Sequence, residues 1–255
     1  MIFPKTGIHF SGSCFNAILA GTLRGRESRF LYTPCAGGDL PMHPELRLIE
    51  DFMTDRGVLN LPALPRMLYV VRGSITAGRR TVRMGETLYT EETITAHAEE
   101  TGATLWRWEL SDPRQPVARM GSASVYSRDK LAKPLETLPQ GDLLWRGDSV
   151  AFPPGGCAYL HRHQGPGIRC VIDGQLRVDT GGQSHTHGVG DAWYEAGPDP
   201  VFAQAGEMPT RFIRVMILPR TLIGKSSIQY VNGEDKEKPK SQQYRVFVDA
   251  PLSWG

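Results

Sequence analysis

The 255-residue sequence has no cluster of lysine and arginine, and its 29 basic and 27 acidic residues leave a formal charge of +2. A near-neutral chain without a basic patch is not typical of nucleic-acid binding. No apolar run approaches the roughly 18 residues of a membrane-spanning helix, and the N-terminus lacks the basic region and apolar run of a signal peptide. We therefore expect a cytoplasmic protein with neither a nucleic-acid nor a membrane partner.

Cysteine is also scarce. The four cysteines, Cys14, Cys35, Cys157 and Cys170, are scattered and form no CxxC pair. This usage indicates reduced thiols in a cytosolic protein rather than a disulfide framework or a zinc site. Glycine and proline are plentiful instead, at 28 and 19 residues. Such a composition favours many short strands joined by turns.

The stretch from Gly155 to Gly174 organises the rest of the chain. Residues two apart share one face of a strand, so His161 and His163 point the same way, with Tyr159 beside them. Two imidazoles on one face are half of a metal site or an acid/base pair. The alternative is a pair of histidines on a solvent-facing edge strand.

The spacing of this stretch resembles the first motif of the cupin superfamily, whose elements here are Gly155, His161, His163 and the closing Gly174. Gly190-Asp191 resembles the start of the second cupin motif. The resemblance implies a small barrel of the jelly-roll type over about residues 147–219. Where the family usually has a glutamate this chain has Gly167, and near Phe202 it lacks the third histidine. Two of the four usual metal ligands are therefore missing.

An internal repeat extends the resemblance to the first half. Residues 67–73 resemble residues 168–174, with Gly73 and Gly174 lying 101 residues apart. The expected fold class is all-β, with two double-stranded β-helix (cupin jelly-roll) barrels and short helices near 44–54 and 127–132. The first barrel has no histidine pair at the matching positions, and we expect it to be structural. The predicted segments are a degenerate N-terminal barrel over 1–110, a linker over 111–146, the C-terminal barrel over 147–219 and a C-terminal extension over 220–255, which packs on a barrel or on a partner chain.

Alternation along the predicted strands places further side chains in the C-terminal barrel. Arg169 follows the histidines on the next strand, and Phe202 and Gln204 take the histidine side of the second-motif strand, while Glu195 faces either way. Such a pocket suits a small anionic ligand. An arginine inside a barrel must be paired. Its partner is either an internal carboxylate such as Glu195 or the carboxylate of a substrate.

Three classes of function stay open. In a metal enzyme, as the resemblance implies, His161 and His163 bind Fe, Mn, Ni or Zn, with Glu195 or Gln204 as a substitute ligand, for dioxygenase-like or isomerase-like chemistry. In a metal-free isomerase or epimerase, a histidine acts as base and Tyr159 as acid. The third class is a non-catalytic binder of small molecules. The fold does not choose among them.

A second histidine pair, His185 and His187, also shares a strand face. It flanks a Gly-Gly hairpin tip, where exposed residues are normal. We therefore expect any tightly bound metal on His161 and His163 rather than here. Because cupin-like barrels present sheet edges that a partner often covers, we also expect a homodimer, with residues 241–250 covering such an edge.

Overall fold

The computed structural model describes residues 43–114, 118 and 123–253. Across these residues the chain is all-β, as the sequence predicts, and none of the helices found there is long and apolar enough to cross a membrane. The part of the predicted N-terminal barrel before residue 43 lies outside the described residues. The strands of the N-terminal half are β1 (Glu45–Met53), β2 (Val58–Leu61), β3 (Arg66–Ala77), β4 (Arg80–Arg83), β5 (Thr87–Thr90), β6 (Ile94–Ser111) and β7 (Val125–Pro134). Those of the C-terminal half are β8 (Leu143–Phe152), β9 (Cys157–His163), β10 (Gly167–Asp173), β11 (Leu176–Thr180), β12 (Gln183–His187), β13 (Ala192–Glu195), β14 (Val201–Ala205), β15 (Thr210–Pro219), β16 (Ile228–Tyr230) and β17 (Gln243–Leu252), with short 3-10 helices at Arg220–Leu222 and Gly233–Lys236.

The N-terminal half is one antiparallel sheet of seven strands in the order β4-β3-β6-β1-β7, with β2 added to β6 and β5 added to β3. The long strand β6 pairs with β2 through its first residues and with β1 through its last. The sheet can therefore enclose a core of its own, in which Leu68, Val70 and Leu105 are fully buried.

The C-terminal half consists of two antiparallel five-stranded sheets. Their strand orders are β13-β10-β15-β8-β17 and β12-β11-β14-β9-β16. Side chains from both sheets meet in one buried cluster, which includes Phe152, Val171 and Phe212 from the first sheet and Leu176 and Val201 from the second. Two facing antiparallel sheets around a common core are the architecture of a jelly-roll barrel.

A further core joins the two halves. It contains Trp106 and Trp108 from β6, Trp145 from β8 and Ile168 from β10. The indole Nε1 of Trp108 donates a hydrogen bond to the carbonyl of Ile168 at 3.2 Å. Residues on the opposite face of the same strands are buried as well, so each of these strands is covered on both sides.

Both helices predicted near 44–54 and 127–132 are wrong, because these residues form β1 and β7, which pair with each other. In β1, Leu46 and Leu48 enter the core between the halves while Ile49 is buried on the other face. A strand buried on both faces loses the clean period of two that identifies strands. β7 lies inside the segment 111–146 that the sequence indicates as a linker.

The predicted strand residues and the extension are found in sheets. Adjacent pairs such as Val70-Val71 and Val171-Ile172 lie in β3 and β10, and one member of each pair is fully buried. The extension ends in β17, which pairs with β8 of its own chain and forms the edge of that sheet.

Candidate functional site

A β-bulge on β9 sets the direction of the two histidines. His161 pairs with Val201 of β14, but Ala158 pairs with Ala203, so β9 carries one extra residue between these points. His161 and His163 are each 5% exposed and point into the barrel. Because of the bulge, Tyr159 does not share their face, which corrects the strict alternation assumed from the sequence.

Tyr159 contributes its backbone instead of its phenol. Its ring lies on the outside, where the ammonium groups of Lys238 and Lys240 are 5.3 and 5.4 Å from the ring centre. Its carbonyl oxygen lies 2.7 Å from Nδ1 of His161. A carbonyl only accepts hydrogen bonds, so Nδ1 of His161 carries the proton and Nε2 carries a lone pair.

The two imidazoles face each other through their Nε2 atoms. These atoms are 3.2 Å apart, and the rings cross at 82°. With its lone pair on Nε2, His161 accepts a hydrogen bond from the Nε2–H of neutral His163. Nδ1 of His163 is buried and has no hydrogen-bond partner among the described residues.

Arg169 and Glu195 complete the centre. Arg169 is 1% exposed, and its Nη1 donates to the carbonyl of Gly167 at 2.7 Å. Its Nη2 lies 2.8 Å from Oε2 of Glu195, which is also 3.5 Å from Nε2 of His163. Neither Nη2 nor Oε2 makes a well-directed hydrogen bond, so the contact is an ion pair at an oblique angle. The other oxygen, Oε1, accepts a hydrogen bond from Trp193 Nε1 at 2.8 Å.

A second ion pair lies beside the first. Arg214 donates from Nε and Nη2 to both oxygens of Asp148, at 2.6 and 3.0 Å. Its guanidinium also lies 5.7 Å from the ring centre of Tyr244 on β17. The C-terminal barrel therefore encloses two guanidinium groups, two carboxylates and two imidazoles.

Burial and positive charge keep both histidines neutral. Burial lowers the pKa of His161 below its ordinary value. The pKa of His163 is lowered well below that value, first by burial and then by the charges of Arg169 and Arg214. Burial also lowers the pKa of Arg169, to about 10, while Glu195 opposes this, so the guanidinium stays charged at neutral pH. Neutral imidazole is the form that binds a metal or accepts a proton.

The cavity at this centre is small. It measures about 20 Å³ and is lined by the two histidines, Arg169, Glu195 and apolar side chains. One water molecule needs roughly 10–15 Å³ of such space. The centre thus has room for one water or one ion, but none for an organic substrate in this conformation.

Phe202 and Gln204 do not belong to this centre. On β14 the neighbouring residues Val201 and Ala203 line the cavity, and the two predicted residues point to the opposite face. Phe202 packs under Arg177 at 5.8 Å, while Gln204 Nε2 donates to the backbone carbonyl of Gly155 at 3.4 Å. A shift of one residue in register exchanges the two faces of a strand, which is why alternation gave the wrong side.

The second histidine pair lies away from the cavity. His185 is exposed, and its Nε2 lies 3.1 Å from Oε1 of Gln183. His187 stacks on Trp193, with ring centres 4.7 Å apart and an angle of 15° between the planes. The two side chains therefore make separate contacts and converge on no common point.

Trp193, Arg214, Asp148 and Tyr244 are residues of the centre that the sequence did not reveal. The available signal was a charged residue inside an apolar strand, as for Arg214 in RFIRVMIL and Asp148 in LLWRGDSVAF. Such a charge must find a partner when its strand is buried. The sequence does not say which partner, since the two residues are 66 positions apart.

The donor set partly fits a divalent metal. Within the described residues, no group of three or more His, Cys, Asp or Glu side chains is ready to hold a metal ion. The Nε2 atoms of His161 and His163 are nevertheless 3.2 Å apart. Two nitrogens bound to one metal at about 2.1 Å are separated by roughly 3.0–3.4 Å. Glu195 supplies the nearest third donor, and two imidazoles with one carboxylate suit several divalent metals.

The usual cupin glutamate has no place in this barrel. A Cβ atom added at Gly167 would lie 2.3 Å from the carbonyl oxygen of Val215 and 2.8 Å from Cγ of Met216. Backbone contacts this close exclude any side chain unless β10 moves away from β15. A third ligand must therefore come from elsewhere, and Glu195 on the neighbouring strand is the residue in reach.

No model of a known protein family matches this sequence, and no curated protein matches it. Solved structures do match. Oxalate decarboxylase from Bacillus subtilis, with Mn(II) centres, superposes with a TM-score of 0.51 at 13% identity over 69% of this chain and 69% of that chain. Salicylate 1,2-dioxygenase from Pseudoaminobacter salicylatoxidans gives 0.48 at 15% identity over 73% and 72%, and a cupin 2 conserved barrel domain protein from Leptotrichia buccalis gives 0.44 at 13% over 70% and 85%. The likeness to oxalate decarboxylase supports a fold of the cupin type, and at such identity it extends to the fold alone.

Proposed function

We propose that this chain is a bicupin whose C-terminal barrel is a metal-dependent enzyme centre for a small carboxylate. The observation that carries the proposal is the convergence of two neutral, buried imidazole nitrogens 3.2 Å apart, with a carboxylate oxygen 3.5 Å from one of them. His161 and His163 are the proposed ligands for Fe, Mn, Ni or Zn; to bind through Nε2, His163 would carry its proton on Nδ1 instead. Glu195 is the proposed third ligand.

Arg169 has two proposed roles in this scheme. Without a metal it neutralises Glu195, which would otherwise be an unpaired buried charge. If Glu195 were a ligand of a bound metal, the guanidinium would lose its ion pair and could bind a planar carboxylate through its fork. The substrate carboxylate would then take the place that Glu195 leaves. A bound metal would supply a Lewis acid with open positions for water or substrate.

The metal-free alternative also has an observation in its favour. The Arg169–Glu195 ion pair already supplies a cation at the carboxylate, and the Nε2 atoms of His161 and His163 already share one hydrogen bond. A histidine would then act as general base without a metal. The phenol of Tyr159 is not available as the acid, since its ring lies outside the barrel.

Metal content separates the two proposals. Protein purified without a histidine tag is analysed for bound metals, then titrated with Mn²⁺, Zn²⁺, Ni²⁺ and anaerobic Fe²⁺ while its melting temperature is followed. A ligand that binds only the folded state raises stability by RT ln(1 + [L]/Kd). We expect such a rise, and we expect it to vanish in the His161→Ala/His163→Ala variant.

The matched control is the His185→Ala/His187→Ala variant, which removes the same number of imidazoles from the other pair. It should respond to metal as the unmodified protein does. If no metal binds, the metal-dependent proposal is refuted and the metal-free one is favoured. If the control variant loses the response, the site has been assigned to the wrong histidines.

A further inference from the structure

A larger cavity of the C-terminal half lies beside its edge strands β16 and β17. We call it the outer pocket; it measures about 420 Å³. One wall is the edge strand β17 with Tyr244 and Val246, and the other is the segment 224–228, which leads into the edge strand β16. Its volume falls in the range of about 300–1,000 Å³ that is typical of small-molecule sites.

The outer pocket adjoins the buried centre. Arg214, Ile228 and Tyr244 line both the outer pocket and the 20 Å³ cavity beside the histidines. These three side chains therefore form the partition between an open site, large enough for an organic molecule, and a closed one that is not.

The polar groups of the outer pocket favour an anion. Arg214 is held in place by Asp148 through Nε and Nη2. Ser227 is 3% exposed, and within the described residues its hydroxyl donates its hydrogen bond to the sulfur of Met216, at 4.0 Å. Sulfur is a weak acceptor, so this buried donor lacks a strong partner. The ammonium of Lys225 makes no ion pair within the described part of the chain.

The carboxylates of the outer pocket are already paired. Asp148 is bound by Arg214, and Asp249 accepts hydrogen bonds from Arg146 at 2.9 and 3.0 Å and from the backbone N–H of Gly224 at 2.6 Å. The unpaired charge that remains is the positive one of Lys225. A ligand with a negative head is therefore attracted, and a cation is not.

The apolar wall favours a planar body. Tyr244 is 45% exposed and Val246 is 53% exposed, although both stand beside a concave surface. The guanidinium carbon of Arg214 lies over the Tyr244 ring, 5.7 Å from the ring centre. Arg214 and Ser227 line the same cavity as this ring, so an aromatic ligand that stacks on it could direct an acidic group towards them.

From these contacts we infer that the outer pocket binds a small aromatic carboxylate, and that Tyr244 is the residue that selects its planar ring. The site lies beside the proposed metal centre and does not require a bound metal. A ligand in the outer pocket would lie next to the Tyr244 side chain, which separates this pocket from the cavity beside the histidines.

Benzoate is the probe, with acetate and benzyl alcohol as ligands that lack the ring or the charge. Binding is measured from the shift in melting temperature and from saturation-transfer NMR. We expect benzoate to bind more tightly than either control ligand. Tyr244→Ala should weaken benzoate binding by about two- to tenfold, the range for loss of one aromatic contact. Ser227→Ala, which removes a single buried donor, should weaken it as well.

The control variant is Tyr126→Ala, which removes another exposed tyrosine, one that stacks on Phe52 in the N-terminal half. It should bind benzoate as the unmodified protein does. The His161→Ala/His163→Ala variant should also keep binding, which separates this site from the metal proposal. The inference is overturned if benzoate does not bind, if Tyr244→Ala and Tyr126→Ala behave alike, or if the histidine variant abolishes binding.

Discussion

Replacing Arg169 by methionine tests whether its ion pair with Glu195 is a structural requirement of the barrel. Methionine keeps the length and apolar stem of arginine but removes the charge and the donors. Two contacts are lost, the ion pair at 2.8 Å to Glu195 and the hydrogen bond at 2.7 Å to the Gly167 carbonyl. Glu195, which is 8% exposed, is left as a buried carboxylate with one indole donor.

The expected loss of stability is large because the substitution leaves one charge of a buried pair without its partner. Breaking such a pair typically lowers the free energy of unfolding by about 3–5 kcal/mol. Removing both charges should destabilise the protein much less, because apolar groups of similar size often replace a buried pair with little change in the free energy of unfolding. We therefore expect Arg169→Met to lose about 3–5 kcal/mol and Arg169→Met/Glu195→Gln to recover most of it.

The assay is urea unfolding at pH 7.5 without added metal, followed by circular dichroism and tryptophan fluorescence. Arg211→Met is the matched control, because Arg211 makes an analogous pair with Asp173 at 2.9 Å whose side chains are 38% and 56% exposed. Exposed pairs contribute at most about 1 kcal/mol. If Arg169→Met loses no more stability than Arg211→Met, or if the double variant is no more stable than the single one, the buried-pair reasoning fails.

Three further predictions concern the same half of the chain. Burial raises the pKa of Cys170 to about 12. In the Cys14→Ser/Cys35→Ser variant, iodoacetamide at pH 8 should therefore label the half-buried Cys157 and leave Cys170 unlabelled until the protein is denatured. Labelling of Cys170 in the native protein would contradict this. Gly167→Glu should lower the free energy of unfolding by about 1–3 kcal/mol because of its backbone clash. Gly233→Glu, where nothing lies within 4 Å of the added Cβ atom, should change it little, and equal effects of the two substitutions would contradict this. Sedimentation at micromolar concentration should show a dimer formed through the exposed edge of β17, and a single 28 kDa species would exclude it.

The local part of the fold could be predicted from the sequence. The histidine pair, the turn at Gly174 and the alternation of Val171 with its neighbours depend on residues close together in the chain. These features hold in β9 and β10. The strand β1 could not be predicted in the same way, because its burial on both faces comes from β6, β7 and the C-terminal half, which are distant in sequence.

The site could be predicted only as far as strict alternation holds. His161 and His163 lie on one side of the bulge and keep their common face. Tyr159 lies within the bulge and therefore does not share the face of the histidines. On the paired strand the register is shifted by one residue, so Gln204 lies on the opposite face. A bulge leaves no clear mark in a single sequence. The partner of Arg169 was left open for a similar reason, since pairing with Glu195 is set by the register of β10 against β13.

The two halves of the molecule place an arginine at matching points of their sheets. In the N-terminal half Arg107 of β6 lies opposite Leu68 of β3. In the C-terminal half Arg214 of β15 lies opposite Arg169 of β10. An aspartate on the neighbouring strand binds each arginine. Arg107 donates to Asp51 of β1 at 2.7 Å, and Arg214 donates to Asp148 of β8 at 2.6 Å. The repeat seen in the sequence thus extends to a buried guanidinium–carboxylate pair.

What differs between the halves is how the remaining interior charges are used. In the N-terminal half Arg66 and Arg107 share Glu109, at 2.9 and 2.7 Å, and Arg107 also binds Asp51, so two guanidinium groups meet two carboxylates with no histidine between them. All four side chains are at most 1% exposed. In this network each of the four carboxylate oxygens contacts a guanidinium nitrogen, and no imidazole lies beside them among the described residues. In the C-terminal half Glu195 keeps one oxygen without a well-directed hydrogen bond, next to two neutral imidazoles. The chemistry we propose therefore belongs to the C-terminal half, where a buried carboxylate lies next to two neutral imidazoles.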